Sequence, residues 1–498
     1  MTENIPESQP GQGLGRIIAR NTAFITLGEL ALKALNVLFT IYVVRRLGDS
    51  QFGQYSIVLA FPGLFQIFAE FGMTQYVMRE IARDRSKTQL YFWNLVVLRL
   101  ALAIVAIVGI TVSAVITGYP EILVLGIALH TCTFLLAAFA VPLETVLAAN
   151  ERLDYVATAA VVGRLAFILS CTVFLIAGKD FLWVVLAGLL TMPIQIGFSL
   201  WAIKRHKLAP DRFQINLRLW PHLIRSGLPF GIIMLALTIA YSIDTVMLSM
   251  FEPPEVVGWY NAAYNLIRTL MLVYTAFSIA VLPSLSRVYV SERTQVERWY
   301  HRSVKFSLLQ GLPMAVGGML VAYPLMRFLY TDEFLPSGLA LQILIWDLPL
   351  VMYNSFCGNM TTVIGAERNA ARIYSINAAA NVILNLYAIP RFGLVGAALV
   401  TVVTDLIGAL QFHLLLRDKL HLPNMTSVLV RTALAAAGMG AIVWLAGNSN
   451  LFVLIGLGAL VYGGLVLLLR LIDESEWNML RWLGRRLIGK VLPAKKAV

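Results

Sequence analysis

The sequence predicts an all-α integral membrane protein of about 14 transmembrane helices, arranged as two six-helix lobes plus two extra C-terminal helices. Two of the observations behind this fold class are the composition, which is 59% hydrophobic with a mean hydropathy of +0.76, and the apolar runs that recur between residues 21 and 471. Runs of about 20 residues match the hydrocarbon thickness of a bilayer. Because backbone groups in lipid must bond to each other, such runs form helices.

An internal repeat is the third observation. Arg20 and Arg225, Gly53 and Gly258, and Tyr55 and Tyr260 are each separated by the same 205 positions. The order of apolar spans, polar breaks and polar stripes repeats with them. The second copy begins six spans after the first. Because six is an even number of membrane crossings, both copies have the same topology, and the repeat is parallel.

Fourteen spans account for the apolar sequence. They are predicted at 22–44, 53–73, 91–117, 121–147, 155–177, 181–203, 223–250, 256–283, 304–329, 337–363, 371–390, 393–416, 427–446 and 451–471. The predicted organisation is an N-terminal segment (1–20), an N-lobe of spans 1–6 (21–203), a linker (204–222), a C-lobe of spans 7–12 (223–416), spans 13 and 14 (417–471), and a basic amphipathic tail (472–498).

The distribution of basic residues predicts the orientation. Thirty of the 39 Lys and Arg residues lie in the N-terminal segment, the even-numbered connections, the tail and the helix ends beside them. Five lie in the odd-numbered connections and four inside spans. By the positive-inside rule, the N- and C-termini are cytoplasmic and the protein is a multi-pass protein of the plasma (inner) membrane. The same placement explains the net charge of +12 without a nucleic-acid partner.

Polar residues inside the first span form one candidate site. Lys33, Asn36 and Thr40 follow Glu29 along one helical face. A charged side chain at mid-span costs roughly 2.5–3.5 kcal/mol on insertion scales, so its presence there requires a structural or functional explanation. Either Glu29 and Lys33 form a neutralised pair that packs helices, or the face lines a cavity in which Lys33 is a movable cation.

Span eight carries the second polar face, formed by Asn261, Asn265 and Arg268 with Tyr264 beside them. Its span contains no acid that would neutralise Arg268, so this arginine faces a cavity or an acid on a neighbouring helix. Arg164, in the middle of span five, supports a similar but weaker argument. Arg99 lies near the cytoplasmic end of span three and either joins the site or snorkels to the interface.

Acids and amides in the C-lobe are candidates for ion coupling. Asp347 and Asp405 lie within spans ten and twelve, and Asn381 lies in span eleven. Together with Glu29, these residues either bind a coupling proton or sodium ion or pair with the arginines. The sequence leaves both alternatives open.

Motifs of soluble enzymes are missing from the sequence. There is no phosphate-binding glycine loop, no zinc-ligand spacing among the six histidines, and no nucleophile elbow. The polar breaks are too short for a catalytic domain. The sequence therefore predicts a transporter without catalytic residues, cofactors or a metal site.

Several short motifs resemble a known family. Span one ends in Arg45-Arg46-Leu47-Gly48 and is followed by Phe52-Gly53-Gln54-Tyr55. Ala149-Asn150-Glu151-Arg152, Gly365-Ala366-Glu367-Arg368 and the run from Phe392 to Ala398 are further likenesses. To about residue 470 the chain resembles the polysaccharide-biosynthesis flippases, the O-antigen and exopolysaccharide translocases of the multidrug/oligosaccharidyl-lipid/polysaccharide exporter superfamily.

This resemblance implies a V-shaped pair of six-helix bundles that flips polyprenyl-pyrophosphate-linked oligosaccharides by alternating access, for cell-surface polysaccharide assembly. Its expected partners are the lipid-linked oligosaccharide and membrane lipids, with a polysaccharide polymerase or export machinery as further candidates. The related peptidoglycan-precursor flippases carry cations on spans one and eight, where this chain has Lys33 and Arg268. Arg164, Arg99, Asn36, Asn261, Tyr264 and Asn265 complete the expected substrate site, and Arg20 and Arg225 the cytoplasmic mouth.

Two other functions compete with this hypothesis. A cation-coupled multidrug exporter of the same superfamily requires an acidic, aromatic cavity, whereas this chain concentrates cations on its candidate faces. A membrane glycosyltransferase or polymerase requires paired acids on a sizeable outer loop, and the predicted outer loops are short.

Overall fold

The computed structural model describes residues 11–210, 212–291, 293–420, 424–447, 449–473 and 477. Within these ranges, the side chains of residues 11–31, 273, 276, 277 and 279–296 are not described. The predicted basic amphipathic tail (472–498) therefore lies outside the described residues except for Ile472, Asp473 and Trp477. The described part of the chain is almost wholly helical, and no strand occurs in it.

Sixteen α-helices, labelled in chain order, make up the described chain. They are α1 (Gly11–Glu70), α2 (Met73–Arg83), α3 (Thr88–Ile116), α4 (Glu121–Thr131), α5 (Thr133–Ala149), α6 (Leu153–Ile176), α7 (Phe181–Arg205), α8 (Trp220–Phe251), α9 (Pro254–Ser291), α10 (Arg293–Leu320), α11 (Ala322–Leu329), α12 (Ser337–Leu344), α13 (Asp347–Val363), α14 (Glu367–Lys419), α15 (Thr426–Leu445) and α16 (Leu451–Leu468). Short 3-10 turns cover Arg85–Lys87, Leu217–Leu219 and Asp332–Phe334.

Every one of the fourteen predicted spans coincides with helix, which confirms the all-α membrane fold. In the described chain, nine helical segments are long and apolar enough to cross a membrane, and two bent pairs raise this number to eleven. α1 and α14 each contain two of the predicted spans. The predicted eighth span lies in α9, whose 38 residues are described only in part at the side-chain level.

Two glycines bend the long helices into separate spans. Gly48 in α1 has φ 72° and Gly393 in α14 has φ 51°, both in the left-handed region that L-residues with a Cβ avoid. Both glycines belong to motifs that resemble the flippase family: Gly48 ends Arg45-Arg46-Leu47-Gly48, and Gly393 follows Phe392 in the run to Ala398. The motifs therefore mark the turns between consecutive spans.

Two predicted spans are broken. α10 and α11 meet at 81°, and α12 and α13 meet at 45°. In each case a proline lies in the first turn of the second helix: Pro324 in α11 and Pro349 in α13. Proline cannot donate to the carbonyl four residues earlier, and its ring crowds that carbonyl, so the helix breaks just upstream.

The helices group into two compact units. Unit 1 comprises residues 1–277, 329–333 and 385–393, and unit 2 comprises 278–328, 334–384 and 394–498. Within unit 1, helices α2, α3, α5, α7 and α8 share a core of fully buried side chains that includes Met73, Leu95, Val146, Ile203 and Leu223. The division of the chain into an N-lobe and a C-lobe stays a prediction.

Unit 2 has its own cores around α10. Val321 packs against Met439 and Val443 of α15 and against Leu451 and Leu454 of α16. Spans 13 and 14, which lie outside the repeat, are therefore packed on the ninth span. Burial of these side chains fixes the C-terminal helix pair within unit 2.

Candidate functional site

A cavity of about 340 Å³ in unit 1 brings together several of the predicted site residues. Its walls come from α1, from α9, from the last residue of α11 and from the residue after it. The lining residues are Lys33, Asn36, Val37, Thr40, Ile41, Asn265, Leu266, Arg268, Thr269, Leu272, Leu329 and Tyr330. Four of the eight predicted substrate-binding residues line it: Lys33, Asn36, Asn265 and Arg268.

The α1 wall presents one polar helical face. Lys33, Asn36 and Thr40 are spaced three and four residues apart, which stacks them on the same side of the helix. Thr40 Oγ1 donates a hydrogen bond to the backbone oxygen of Asn36 at 2.8 Å. The Thr40 hydroxyl therefore bonds within its own helix, and the side chains of Lys33 and Asn36 line the cavity beside it.

The α9 wall holds Arg268 in a fixed orientation. Its guanidinium carbon lies 4.6 Å from the ring centre of Tyr264 and 5.5 Å from that of Tyr241. One terminal nitrogen donates to the backbone oxygen of Tyr241 at 2.8 Å. Ring contacts of this kind hold a cation without neutralising it. These contacts position the Arg268 guanidinium at the cavity.

Arg164 lies behind the α1 wall. Its Nε donates to the side-chain oxygen of Asn36, and its guanidinium carbon lies 5.0 Å from the ring centre of Phe167 and 5.8 Å from that of Phe39. Asn36 therefore connects this third cation to the cavity. The structure brings the three predicted cations Lys33, Arg268 and Arg164 into one region of unit 1.

The charge of the cavity wall is positive. Lys33 and Arg268 line the cavity, and no Asp or Glu is among its described lining residues. The predicted partner of Lys33, Glu29, has a side chain outside the described residues. Two cations without a described acid give the cavity a positive potential, which favours an anion.

Other predicted site residues lie elsewhere. Tyr264 is 7% exposed, and its ring stacks against the Arg268 guanidinium. Asn261 accepts a hydrogen bond from Thr245 at 3.1 Å and donates to the Val257 backbone oxygen at 2.9 Å, one turn away from the lining residue Asn265. Neither residue lines the cavity itself.

Arg99 does not join this cavity. It is 5% exposed, forms a 3.4 Å ion pair with Glu70, and donates to Thr74 at 3.1 Å. Glu70 lines a different cavity of unit 1, of about 250 Å³, together with Gln66 and Thr238. Arg99 is therefore held by a neighbouring acid rather than snorkelling to the interface.

The predicted mouth residues are described unequally. Arg225 is exposed near the start of α8, whereas the Arg20 side chain lies outside the described residues.

The predicted ion-coupling residues of unit 2 fall into two groups. Asp347 is buried at the start of α13 and Asp405 accepts a hydrogen bond from Asn354 Nδ2 at 3.0 Å, whereas Asn381 donates to Thr404 at 3.5 Å.

Two contributors to the site were absent from the sequence-based prediction. Tyr330 lines the cavity and donates to the Ala262 backbone oxygen at 3.3 Å, although it belongs to a short segment far along the chain. Tyr241 of α8 holds Arg268 from a different helix. No periodicity within one span reveals contacts of this kind, because they depend on how separate helices pack.

Comparison with known proteins places this arrangement in a family. Residues 18–289 match the family described as polysaccharide biosynthesis protein, and residues 229–387 match the family described as MatE. A probable low-salt glycan biosynthesis flippase of Haloferax volcanii, Agl15, is 23% identical over 93% of this chain and 99% of its own length. A probable flippase of the same organism, AglR, is 26% identical over 45% of this chain and 47% of its own length.

Solved structures share the fold. The lipid II flippase MurJ in an inward closed conformation superposes with a TM-score of 0.72 at 17% identity, covering 91% of this chain and 99% of MurJ. An inward-facing multidrug resistance MATE family transporter gives a TM-score of 0.62 at 18% identity, covering 80% of this chain and 98% of its own. With its family match spanning more than half of its length, the chain belongs to the polysaccharide biosynthesis protein family and has the all-α fold of these membrane transporters.

Proposed function

We propose that this protein is a flippase that moves a polyprenyl-pyrophosphate-linked oligosaccharide from the cytoplasmic to the outer leaflet by alternating access. The observation that carries the proposal is the cavity in unit 1, where Lys33 and Arg268 face one space with no acid among its described lining residues. Family membership and the names of the relatives support the same function.

The chemistry of the wall suits a diphosphate. A guanidinium offers paired N–H donors that match two phosphate oxygens, and an ammonium adds a compact point charge. Arg268 supplies the guanidinium and Lys33 supplies the ammonium. The anion thereby gains charge-assisted hydrogen bonds in place of those it loses when it leaves water.

The remaining polar groups suit sugar hydroxyls. Asn265, Thr269 and Tyr330 carry donors and acceptors around the same cavity. A space of about 340 Å³ accommodates the diphosphate and the sugar next to it, but not a whole lipid-linked oligosaccharide. We infer that recognition concentrates on the head group, with the rest of the glycan and the lipid chain outside the cavity.

A cationic-drug exporter fits the cavity less well. Binding of an organic cation requires an acid or an uncharged aromatic surface, and here both charged lining residues are cations. The match to the MatE family covers residues 229–387 and supports a common superfamily. The proposal therefore favours an anionic substrate.

The proposal includes the location of the protein. The charge distribution supports a plasma (inner) membrane protein with cytoplasmic N- and C-termini, the orientation that a flippase loaded from the cytoplasm requires. A polysaccharide polymerase or export machinery on the outer side is the partner class that consumes the flipped lipid.

Lipid analysis after loss of the gene tests the proposal. Cells that lack the protein should accumulate a glycolipid in the cytoplasmic leaflet, and wild-type protein should restore its export. For the cavity variant Arg268→Ala, the matched control is Arg391→Ala. Arg391 also stacks on a tyrosine, Tyr387 at 3.8 Å, yet it does not line the cavity. Unchanged glycolipids accompanied by altered sensitivity to cationic drugs would contradict the proposal.

A further inference from the structure

A second cavity of unit 1, with a volume of about 250 Å³, differs in chemistry from the cation-lined cavity of about 340 Å³. Its lining side chains come from the second span of α1, from α2 and from α8. Gln66, Glu70, Gln75 and Thr238 are its polar lining residues, and Phe230 is aromatic. A cavity that combines apolar surface with a few placed polar groups has the usual form of a small-molecule binding site.

Glu70, the acid of this wall, is neutralised within the fold. Its Oε1 lies 3.4 Å from Nη1 of Arg99, whose side chain is 6% exposed. Thr74 donates to the same oxygen at 2.7 Å, and Arg99 donates to Thr74 at 3.1 Å. No other charged residue is among the described lining residues. The ion pair therefore leaves a wall with polar groups but without a net charge.

Two glutamines of the wall carry amides that the fold does not use. Gln66 lies in α1 and Gln75 in α2, and both are exposed side chains. Neither takes part in a hydrogen bond with another described residue. Each amide offers two N–H donors and an acceptor oxygen, and Gln66 lies inside a predicted membrane span, where unused polar groups are costly. A ligand that carries both donors and acceptors would satisfy them.

The shape of the cavity suits a single sugar ring. Phe230 contributes an aromatic side chain that is 37% exposed, and its face can pack against the apolar face of a sugar. Gly63 leaves room, because a Cβ there would have no atom within 4 Å. The hydroxyls around a sugar ring both donate and accept hydrogen bonds, as the two amides require. The volume holds one sugar rather than a longer oligosaccharide.

The two cavities of unit 1 are neighbours along α8. Thr238 lines the second cavity, and Tyr241, three residues further on, holds Arg268 at the cation-lined cavity. Residues three apart share one face of a helix and are separated by about 4.5 Å along its axis. This spacing is comparable to the length of one sugar unit. A glycan whose diphosphate is bound beside Arg268 therefore reaches Thr238.

We propose that the second cavity binds one uncharged sugar of the glycolipid, the one that follows the sugar next to the diphosphate. Gln66 and Gln75 bond to its hydroxyls, and Phe230 packs against its ring. An acidic sugar is disfavoured, because its carboxylate would lose water at a wall with no cation among its described lining residues. This sugar site rests on the proposed flippase function, since the diphosphate in the neighbouring cavity positions the glycan.

Equilibrium binding of tritiated farnesyl-diphosphate glycans to the purified full-length protein in nanodiscs tests the proposal. One probe carries a single N-acetylglucosamine and the other the disaccharide chitobiose, so both present the same charge to Lys33 and Arg268. Wild type should bind the disaccharide probe about tenfold more tightly. Gln66→Ala and Gln75→Ala should each weaken binding of the disaccharide probe about fivefold, as expected for one lost hydrogen bond, and change binding of the single-sugar probe less than about twofold.

Two further variants separate a lost contact from a lost structure. Gly63→Leu fills the cavity without removing a polar group, and it should abolish the preference for the disaccharide probe. Gln89→Ala changes a glutamine at the start of α3 that lines neither cavity, and it should bind both probes like wild type. The glutamine variants should unfold at the wild-type temperature, because they remove no described hydrogen bond.

An acidic probe tests the role of charge. Wild type should bind a disaccharide probe whose second sugar is glucuronic acid at least about fivefold more weakly than the chitobiose probe. Glu70→Gln leaves Arg99 without its acid, so the wall gains a positive charge. The difference between the two disaccharide probes should then shrink or reverse.

The outcomes distinguish the sugar site from the flippase proposal. Binding of both uncharged probes that the Gln66 and Gln75 variants leave unchanged, or weaken equally, would overturn the sugar site alone. Equal wild-type affinity for the uncharged and the acidic disaccharide would do the same. Undiminished binding of the single-sugar probe after Lys33→Met with Arg268→Met would contradict the proposed function instead. Wild-type protein that binds none of the probes would contradict both.

Discussion

Gly53 and Gly258, which occupy equivalent positions of the sequence repeat, pack backbone against backbone in unit 1. A Cβ on Gly53 would lie 1.7 Å from the Pro254 backbone oxygen and 3.1 Å from the Gly258 nitrogen. A Cβ on Gly258 would lie 2.3 Å from the Asp49 backbone oxygen and 3.3 Å from the Gly53 nitrogen. The contact is nearly reciprocal, and no other residue type fits at either position.

The first prediction concerns this glycine contact. Gly53→Ala should destabilise the protein by about 1–3 kcal/mol, because the methyl group meets backbone atoms that cannot rotate away. Gly63→Ala in the same helix is the control, since its Cβ would have no atom within 4 Å and alanine favours helix. Thermal unfolding in detergent measures both variants. Equal midpoints for the two would contradict the packing described here.

The second prediction concerns Arg268. Arg268→Ala should weaken binding of the anionic head group by about 2 kcal/mol or more, roughly thirtyfold in affinity, with near-normal amounts of protein in the membrane. Arg268→Lys should restore binding only in part, because one ammonium does not replace a two-pronged guanidinium. Glycan export in complemented cells reports the effect. Normal export by the alanine variant would show that the binding site lies elsewhere.

Asn36 provides a third prediction, because it bonds to Arg164 and also lines the cavity. Asn36→Asp introduces a negative charge at this wall, which should repel a diphosphate and lower export at least about tenfold. Stability should not fall, since the new carboxylate pairs with Arg164. Asn261→Asp, outside the cavity, should reduce export less. A larger loss for Asn261→Asp would contradict the assignment of the wall.

The fourth prediction concerns orientation. In a variant without the native cysteines, Arg212→Cys should react with an impermeant maleimide only from the cytoplasm, and Thr117→Cys only from outside. Both positions are exposed. Labelling of both cysteines from one side would contradict the fourteen-span topology with cytoplasmic termini.

Much of the fold was predictable because span length and hydropathy are local properties of the chain. The fourteen spans follow from the bilayer thickness, and the turns at Gly48 and Gly393 lie at the sequence motifs. The breaks near Pro324 and Pro349 were not predicted. Proline lies inside other helices, such as α5 and α7, without breaking them, so its presence alone does not distinguish the two cases.

The candidate site was only partly predictable. The polar face of Lys33, Asn36 and Thr40 follows from helical periodicity, and the depth of Arg268 follows from its place in a span. The environment of each cation depends on distant residues. Arg99 pairs with Glu70 of α1, whereas Arg268 stacks on Tyr264 of its own helix and on Tyr241 of α8. The sequence of each span does not reveal the partner on the other helix.

Flipping of a fluorescent polyprenyl-diphosphate oligosaccharide in reconstituted vesicles tests the central claim most directly. Protein with both cavity cations removed, Lys33→Met with Arg268→Met, is compared with wild type and with Arg391→Met by following access of an impermeant quencher. We expect wild type and Arg391→Met to accelerate flipping at least about tenfold over empty vesicles, and the double variant to match empty vesicles. Flipping by the double variant at the wild-type rate would contradict the claim that this cavity binds the diphosphate.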